Sequence, residues 1–516
     1  MGCSPAKFVN KPKPRRQSLL NIPNNPIKIN QINSTIKKFL VLEEKDDPFK
    51  FYDNLEFIKQ GKYGSIFKVQ HKKNKNIRIM KIVNLTGDNE DTITREDLMN
   101  QIELLKNLSH PNTIQLYEYF SYNHKIYMLY EYCPGGDLFE YITKTNYLNE
   151  SQCKEIIQQV LSALKYCHSK HVIHYDLCPE HLVILGTSSF WIKIIDFGAF
   201  NLLGSKKTIL TSGFKMMTNP YFCPPENIPT EKADIWSTGV LMYFILSGVL
   251  PFNGKTIDEI RKNIVSNEAI VDTKAEPWCN VSETAITFMN KLLTKNLEQR
   301  PTASDALEDE WFAHMRENNA NRICSSEAFK KVVFNIKSYS NDNKIKEGLV
   351  YFIMHHLVKN DALDVIRRCF ECFDSNNDGM ISKDELIAGL VKLSTETQAK
   401  IDAEIIFQNL NLRGNCIKYD DFIKASIDKD ELITDKNLKY IFELMDKDKS
   451  GKISKVELKD FFLTNNQNCH FSNNSSLKEQ KTKEDDIFSQ FIGEMDSNGD
   501  GMLNFGEFKK LMYTCK

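Results

Sequence analysis

Residues 172–185 read VIHYDLCPEHLVIL, and this stretch decides how the first half of the chain is interpreted. Apolar residues at both ends enclose a polar centre that contains His174, Asp176 and His181. The segment IIDFG (194–198) places another aspartate after apolar residues a short way downstream. The question is whether these groups form a working active site, and the sequence on either side provides the context for an answer.

Around this stretch, residues 55–315 pass from strand-like to helix-like patterns. Short runs typical of strands come first, namely GSIFKVQ (64–70), IRIMKIV (77–83) and KIYMLYEY (125–132). Longer amphipathic runs such as SQCKEIIQQVLSALKYCHS (151–169) follow and are typical of helices. The pattern predicts a small lobe built on a sheet, followed by a helical lobe.

The composition sets limits on the class of protein. A chain of 516 residues is long enough for several domains. Its 41% hydrophobic and 26% charged residues are typical of a water-soluble globular protein, and a net charge of -1 gives no reason to expect nucleic-acid binding. The 13 cysteines are scattered and no secretory signal precedes them, so we expect reduced thiols in the cytoplasm and no disulfides.

A series of motifs, in a fixed order, resembles the protein kinases. They are GKYGSIFKV (61–69), MK (80–81), SHPNT (109–113), LYEYCPGGDLFEYI (129–142), VIHYDLCPEH (172–181), IIDFG (194–198), PPEN (224–227), DIWSTGV (234–240) and LEQRPTASDAL (297–307). The resemblance implies the α+β two-lobed protein kinase fold, with MgATP as the phosphate donor and proteins as substrates.

By this resemblance, three residues would carry the transfer of a phosphoryl group, which depends on positioning and charge neutralisation. Lys81 would contact the ATP phosphates, Asp196 would hold Mg²⁺, and Asp176 would orient or accept the proton of the substrate hydroxyl. The residues expected to bind MgATP are Ile58, Gly61, Gly64, Ile66, Lys81, Glu131, Cys133, Asp137 and Asp196. Glu226 and Arg300 are expected to form a buried ion pair, and Asp234 to brace the catalytic loop.

Several positions depart from the family pattern and leave the activity open. A glycine is replaced by Lys59, an alanine above adenine by Ile79, the glutamate that pairs with Lys81 by Gln101, an arginine by Tyr175, a phosphate-contacting lysine by Cys178, and the asparagine that ligates a second Mg²⁺ by His181. Mg²⁺ prefers oxygen ligands, so an imidazole at the last position is the most damaging change. Two alternatives follow: an active serine/threonine kinase, or a weak or dead pseudokinase that acts as a scaffold.

Two acidic residues bear on the choice of substrate. Asp137 and Glu180 lie where related kinases place carboxylates that hold arginines upstream of the phosphorylated residue. The resemblance therefore implies protein substrates with upstream Arg or Lys. The alternative is that Asp137 only contacts ribose and Glu180 only faces solvent.

The second half of the chain repeats an acidic loop between helices, at 374–385, 446–457 and 496–507. Each loop fits an EF-hand, which offers oxygen ligands at positions 1, 3, 5, 7, 9 and 12 and a glycine at position 6. The predicted calcium ligands, with the position-7 residue using its carbonyl, are Asp374, Asn376, Asp378, Met380, Ser382, Glu385, Asp446, Asp448, Ser450, Lys452, Ser454, Glu457, Asp496, Asn498, Asp500, Met502, Asn504 and Glu507.

A further loop at 410–421 keeps the apolar Ile417 but has Leu410, Leu412 and Gly414 at ligand positions. It is interpreted as a fourth hand that pairs with the first and binds no calcium. The polar segment 464–486 is expected to be a flexible insertion.

A kinase followed by four EF-hands resembles the calcium-dependent protein kinases of plants and protists. The two alternatives are then a calcium-regulated serine/threonine kinase and a weak or dead pseudokinase that acts as a calcium-switched scaffold. The resemblance implies a kinase domain (51–315), an autoinhibitory junction (316–357) and an EF-hand domain (358–516). The junction has apolar and basic residues interleaved from about residue 325. A basic amphipathic helix of this kind can occupy an acidic substrate cleft or the groove of an opened EF-hand pair.

The amino-terminal arm (1–50) is expected to be disordered, and its residues 1–42 are basic, with Lys and Arg but no Asp or Glu. Gly2 and Cys3 resemble the start of family members that carry two fatty acyl chains, although Ala6 departs from the favoured Ser or Thr. The expected localisation is cytoplasmic, with membrane association on the cytoplasmic face if these residues are acylated.

Overall fold

The computed structural model describes residues 42–61, 64–85, 94–186, 190–197, 219–313, 326–339, 344–358, 360–410, 416–463, 492–493 and 496–513. The predicted acylation sites Gly2 and Cys3, the insertion at 464–486 and the first part of the junction, 316–325, lie outside the described residues.

The amino-terminal lobe is a sheet with one helix against it. Its six strands lie in the order β1-β5-β6-β4-β3-β2, and they are β1 (Leu42–Glu44), β2 (Tyr52–Gly61), β3 (Gly64–His71), β4 (Ile77–Asn84), β5 (Leu116–Tyr122) and β6 (Lys125–Glu131). β1 is parallel to β5, and the other neighbours are antiparallel. Helix α1 (Arg95–Asn107) begins with a capping box in which Thr94 and Asp97 bond each other's backbone N–H groups.

The carboxyl-terminal lobe is helical, as predicted. It contains α2 (Leu138–Thr145), α3 (Glu150–His168), α4 (Glu231–Ser247), α5 (Ile257–Ser266), α6 (Glu283–Leu292), α7 (Ala303–Leu307) and the hairpin of β7 (Leu182–Ile184) and β8 (Ile192–Ile194). Because α4 is almost entirely apolar, it is buried along most of its length. It ends at Gly248, whose φ of +72° favours glycine. None of the described helices is long and apolar enough to cross a bilayer.

The predicted ion pair between Glu226 and Arg300 lies within the carboxyl-terminal lobe. The Arg300 guanidinium donates to both carboxylate oxygens of Glu226, at 2.8 and 2.9 Å, and is itself fully buried. Such a two-point contact fixes both side chains and joins the loop before α4 to the loop before α7. Its role is structural.

The calcium-binding half is all-α apart from short strands between its loops. Its helices are α8 (Glu327–Ser338), α9 (Lys344–Leu357), α10 (Asn360–Phe373), α11 (Lys383–Val391), α12 (Glu396–Asn409), α13 (Tyr419–Ser426), α14 (Lys429–Leu432), α15 (Asp435–Met445), α16 (Lys455–Leu463) and α17 (Phe505–Tyr513). Strands β9 (Met380–Ser382) and β10 (Cys416–Lys418) form one pair, and β11 (Lys452–Ile453) and β12 (Leu503–Asn504) form another. The hands are therefore arranged as two pairs around one apolar core.

The junction helices α8 and α9 lie against the EF-hands. Phe329 of α8 is fully buried and stacks on Phe373 of α10, with ring centroids 5.2 Å apart. Phe352 of α9 contacts Phe461 of α16 edge to face. Of the two sites considered for this amphipathic segment, the structure shows the EF-hand groove.

The calcium-binding half also contacts both lobes of the kinase half. Arg78 of β4 donates to the His356 carbonyl at the end of α9, at 3.3 Å. Lys165 of α3 donates to the Asn376 carbonyl in the first calcium loop, at 2.8 Å. These contacts tie the sheet that carries Lys81 and the helix behind the catalytic loop to the EF-hands.

Candidate functional site

The centre of the site is an ion pair between the two lobes. Lys81 of β4 lies 2.6 Å from Asp196, which follows β8. Burial alone would raise the pKa of Asp196, but the Lys81 ammonium and then His181 hold it well below its usual range. Asp196 is therefore a carboxylate at neutral pH, next to a fixed positive charge.

Gln101, which stands at the position of the glutamate that pairs with Lys81 in the family pattern, does not contact Lys81. The side chain is buried on α1, and its Nε2 donates to the Phe197 carbonyl at 2.9 Å. Lys81 donates instead to Asp196. The amide thus connects α1 to the segment after β8 and supplies no charge to Lys81.

The catalytic loop is held by Asp234, as predicted. One carboxylate oxygen of Asp234 accepts from the Tyr175 backbone N–H at 2.7 Å, and the other accepts from that of His174 at 3.0 Å. Tyr175 has a φ of +61°, an uncommon conformation for a bulky residue. The two hydrogen bonds hold the backbone in this conformation.

His168 also belongs to this bracing network, and the sequence motifs did not identify it. Its Nε2 lies 2.9 Å from Asp234 Oδ2, deep between α3 and α4. Since 66 positions separate the two residues, the spacing gives no signal for the contact.

His181 lies between the two aspartates of the site. Its Nδ1 is 2.6 Å from the Asp176 backbone carbonyl, and its Nε2 is 3.7 Å from Asp196 Oδ2. The hairpin of β7 and β8 explains this arrangement, because His181 directly precedes β7 and Asp196 follows β8. Burial raises the pKa of Asp176, and the nearby His181 partly opposes the rise.

The predicted nucleotide-binding residues lie on β2, on β3 and after β6. Ile58 and Gly61 belong to β2, and Gly64 and Ile66 belong to β3. A Cβ on Gly64 would lie 2.0 Å from the Ile82 carbonyl, so only glycine allows this approach of β3 to β4. The residues between the two strands, 62 and 63, lie outside the described chain.

Glu131 is the last residue of β6, and Cys133 follows two residues later. The Glu131 carboxylate is buried, accepts from the Gln115 N–H at 2.9 Å and pairs with Lys193 at 3.0 Å. Burial raises the pKa of the Cys133 thiol well above its usual range. These side chains are thus occupied or uncharged, which leaves the backbone of the segment as the expected contact for adenine.

Asp137 is engaged on both carboxylate oxygens. Oδ1 accepts from the Glu140 N–H at 2.9 Å and caps α2, while Oδ2 lies 3.3 Å from the Lys59 ammonium. Lys59, which replaces a glycine of the family pattern, therefore links β2 to α2 across the two lobes. Glu180 is half-buried, and its Oε2 is shielded from solvent without a hydrogen-bond partner among the described residues.

The second predicted calcium loop, 446–457, gathers its acidic ligands. Oxygen atoms of Asp446, Asp448 and Glu457 lie within 4.8 Å of one another. Gly451 has a φ of +78°, and its N–H donates to Asp446 at 2.9 Å. A turn of this kind, with hard oxygen atoms converging on one point, fits Ca²⁺.

The first loop, 374–385, has the same construction. Gly379 has a φ of +76° and donates to Asp374 at 2.9 Å, while Ser382 donates to Glu385 at 2.7 Å. Burial and then the neighbouring Asp378 carboxylate raise the pKa of Asp374 well above its usual value. A bound divalent cation would favour the ionised form of this group.

The third loop, 496–507, also turns at a glycine, Gly501, with a φ of +77°. Asp496 accepts from the N–H of Gly501 at 2.6 Å. Asp500 pairs with the Lys452 ammonium of the preceding hand at 2.7 Å.

The fourth hand, at 410–421, keeps Ile417 paired with Ile381 of the first hand. Its ligand positions Leu412 and Gly414 lie outside the described residues.

Comparison with known proteins gives the same two-part organisation. The family model described as "Protein kinase domain" matches residues 52–312, an "EF hand" model matches 366–391, and an "EF-hand domain pair" model matches 435–513. Three relatives align over most of the chain. Calcium-dependent protein kinase 5 of Plasmodium falciparum (isolate 3D7) is 31% identical over 492 residues, which are 94% of this chain and 81% of the relative.

The other two relatives are similar in extent. Calcium-dependent protein kinase 4 of the same organism is 29% identical over 496 residues, covering 93% of this chain and 90% of the relative. Calcium-dependent protein kinase 19 of Arabidopsis thaliana is 30% identical over 434 residues, covering 82% of this chain and 73% of the relative. The predicted two-lobed fold followed by EF-hands is confirmed.

Proposed function

The chain belongs to the calcium-dependent protein kinases, and from this premise we propose that it transfers the γ-phosphate of ATP to serine and threonine side chains of proteins when calcium is bound. The observation that carries the proposal is the Lys81–Asp196 pair at 2.6 Å, beside an Asp176 whose loop is held by Asp234. The relatives give no support to the pseudokinase alternative.

The residues divide the work between charge and orientation. Lys81 places a positive charge where ATP phosphate oxygens would lie, and Asp196 is the carboxylate that would hold a divalent cation. Mg²⁺ bound with ATP would neutralise charge that develops on the phosphates. Asp176 accepts from the Asn219 N–H at 3.2 Å, which orients its carboxylate. Its raised pKa makes it a better acceptor for the proton of a substrate hydroxyl.

For the substrate, we propose a preference for basic residues upstream of the acceptor. Glu180 supports it by its position, because this half-buried carboxylate lies four residues after Asp176 in the same loop and carries the charge that a cationic side chain prefers. Asp137 contributes less, since Lys59 already pairs with it.

Calcium would act through the three loops and the junction helices packed on them.

The experiment is transfer from labelled ATP to a peptide library in which the acceptor is Ser, Thr or Tyr and the upstream residues vary. The full chain in calcium is compared with Asp176→Ala. The proposal expects label on Ser and Thr, more with upstream Arg or Lys, and a loss of at least about a hundredfold in the variant. Transfer equal in both proteins, while both remain folded, would show that this site does not perform the reaction.

We also propose that Gly2 and Cys3 carry acyl chains that hold the kinase on a cytoplasmic membrane surface. One myristoyl chain binds membranes only marginally, so a second chain and the basic arm would be needed for a stable anchor. Cells fed an alkyne myristate should label the wild-type chain but not Gly2→Ala, and Cys3→Ser should keep the label yet lose membrane retention. Absence of the myristate label from the wild-type chain would contradict this proposal.

A further inference from the structure

The histidine between the two aspartates has a defined tautomer. A backbone carbonyl can only accept, so the 2.6 Å contact requires that His181 Nδ1 carries the hydrogen and donates to the Asp176 carbonyl. In the neutral ring, Nε2 then keeps a free lone pair. Histidines that bind metals usually donate their other ring N–H to a backbone carbonyl or a carboxylate in this way.

The free lone pair faces a second ligand atom. His181 Nε2 lies 3.7 Å from Asp196 Oδ2, which is beyond hydrogen-bond distance. Metal–ligand bonds of about 2.0–2.2 Å allow two ligand atoms to lie about 3–4 Å apart on one ion. The other carboxylate oxygen of Asp196 is bound to Lys81, which fixes the orientation of the group. About a fifth to a quarter of each side chain is exposed, so an ion can enter.

From this geometry we propose that His181 Nε2 and Asp196 Oδ2 form a mixed nitrogen and oxygen site for a divalent first-row transition-metal ion in preference to Mg²⁺, with Mn²⁺ as the paramagnetic probe ion. The inference rests on the proposed function, because the remaining ligands are nucleotide phosphate oxygens and water. The ion therefore binds together with the nucleotide. An imidazole suits transition-metal ions, whereas Mg²⁺ favours six oxygen ligands.

The site predicts a spectroscopic signature. In the full chain with saturating Ca²⁺, Mn²⁺ and β,γ-methylene-ATP, pulsed electron paramagnetic resonance should detect a directly bound imidazole nitrogen. Growth on ¹⁵N-labelled histidine should change that coupling to the ¹⁵N pattern. Mn²⁺ in the calcium loops cannot give this signal, because none of the three loop sequences contains histidine.

Three variants assign the signal. His181→Asn replaces nitrogen by an amide oxygen, and His181→Phe keeps a ring without nitrogen, so both should lose the coupling. His171→Asn should keep it, since His171 is 91% exposed and lies outside the site. Persistence of the coupling in His181→Asn would assign it to another histidine and overturn the proposal.

Nucleotide affinity provides a second readout that does not depend on turnover. The wild-type chain should bind β,γ-methylene-ATP more tightly with Mn²⁺ than with Mg²⁺, and His181→Asn should lower the ratio of the two affinities by at least about fivefold. Nucleotide binding without the imidazole coupling, or the same ratio in both proteins, would overturn the proposed metal preference alone. Failure to bind nucleotide with either ion would contradict both the proposed function and the site.

Discussion

At the scale of single residues, the substituted positions change the chemistry of the site but leave its three central residues in place. Lys81, Asp176 and Asp196 keep the groups that phosphoryl transfer needs, and His181 lies 3.7 Å from a carboxylate oxygen of each aspartate. Gln101 holds the segment after β8 through a hydrogen bond instead of a charge. The roles of these residues follow from neighbours that are distant in sequence.

Glu118 gives a pH-dependent prediction. The side chain is buried on β5 and accepts a hydrogen bond from Tyr52. Burial is the main reason why its pKa rises from 4.5 to about 7. The folded chain therefore holds a proton that the unfolded chain has lost. This contribution to stability is complete below about pH 4.5 and is lost as the pH rises through about 7.

The glutamine of the Glu118→Gln variant cannot ionise, so the variant should not lose this contribution to stability as the pH rises. Between pH 5 and pH 8, the variant should gain stability relative to the wild type, by up to about 3 kcal/mol. Thermal unfolding of both proteins at a series of pH values measures the difference. A difference that stays constant over this range would mean that Glu118 does not titrate there.

At the scale of elements, the strands and helices were largely predictable because their hydrophobic periods are regular. The sheet lobe, the helical lobe and the acidic loops followed from local patterns. The contacts between elements could not be predicted in this way, and Lys59 is an example. Its pairing with Asp137 depends on how β2 approaches α2, which no local pattern records.

The Lys59 link gives a prediction for substrate choice. Lys59→Met should break the ion pair and free one carboxylate oxygen of Asp137 for a cationic substrate side chain. The ratio of kcat/KM for peptides with and without an upstream arginine should rise by roughly fivefold, as expected for about 1 kcal/mol. Lys144→Met is a suitable control, since Lys144 is exposed and pairs with Glu140 of the same helix, α2, at 3.7 Å. An unchanged ratio would mean that Asp137 does not contact that arginine.

Helix α8 offers a matched pair of substitutions on its two faces. Phe329 is fully buried against Phe373, whereas Phe334 on the same helix is 69% exposed. Phe329→Ala should destabilise the calcium-binding half by about 3–5 kcal/mol, and Phe334→Ala by much less. Calorimetry of the full chain separates the two effects. Equal losses would indicate that α8 does not remain in the EF-hand groove in solution.

At the scale of the whole molecule, the calcium-binding half contacts both lobes of the kinase half. Arg78 is next to Ile79, which occupies the expected adenine ceiling, and its contact with the His356 carbonyl joins β4 to α9. Lys165 joins α3 to the first calcium loop. Under the proposed function, a Ca²⁺ ion bound in that loop would order it and so change the contacts that position the lobes.

Arg78→Gln tests this connection. The shorter, neutral side chain should weaken the contact with α9 and reduce the stimulation of transfer by calcium several-fold, while the fold is retained. Lys75→Gln, at an exposed position of the neighbouring turn, should leave the stimulation unchanged. Identical calcium responses in the two variants would exclude this contact as part of the coupling.

The central claim is that the substituted site transfers phosphate under the control of the calcium loops. The most direct measurement compares the rate of transfer in calcium and in chelator for the wild-type chain and for the triple variant Glu385→Gln, Glu457→Gln and Glu507→Gln. The account predicts fast transfer only for the wild type in calcium, and slow transfer in the other three conditions. A rate that is the same in all four conditions would contradict it.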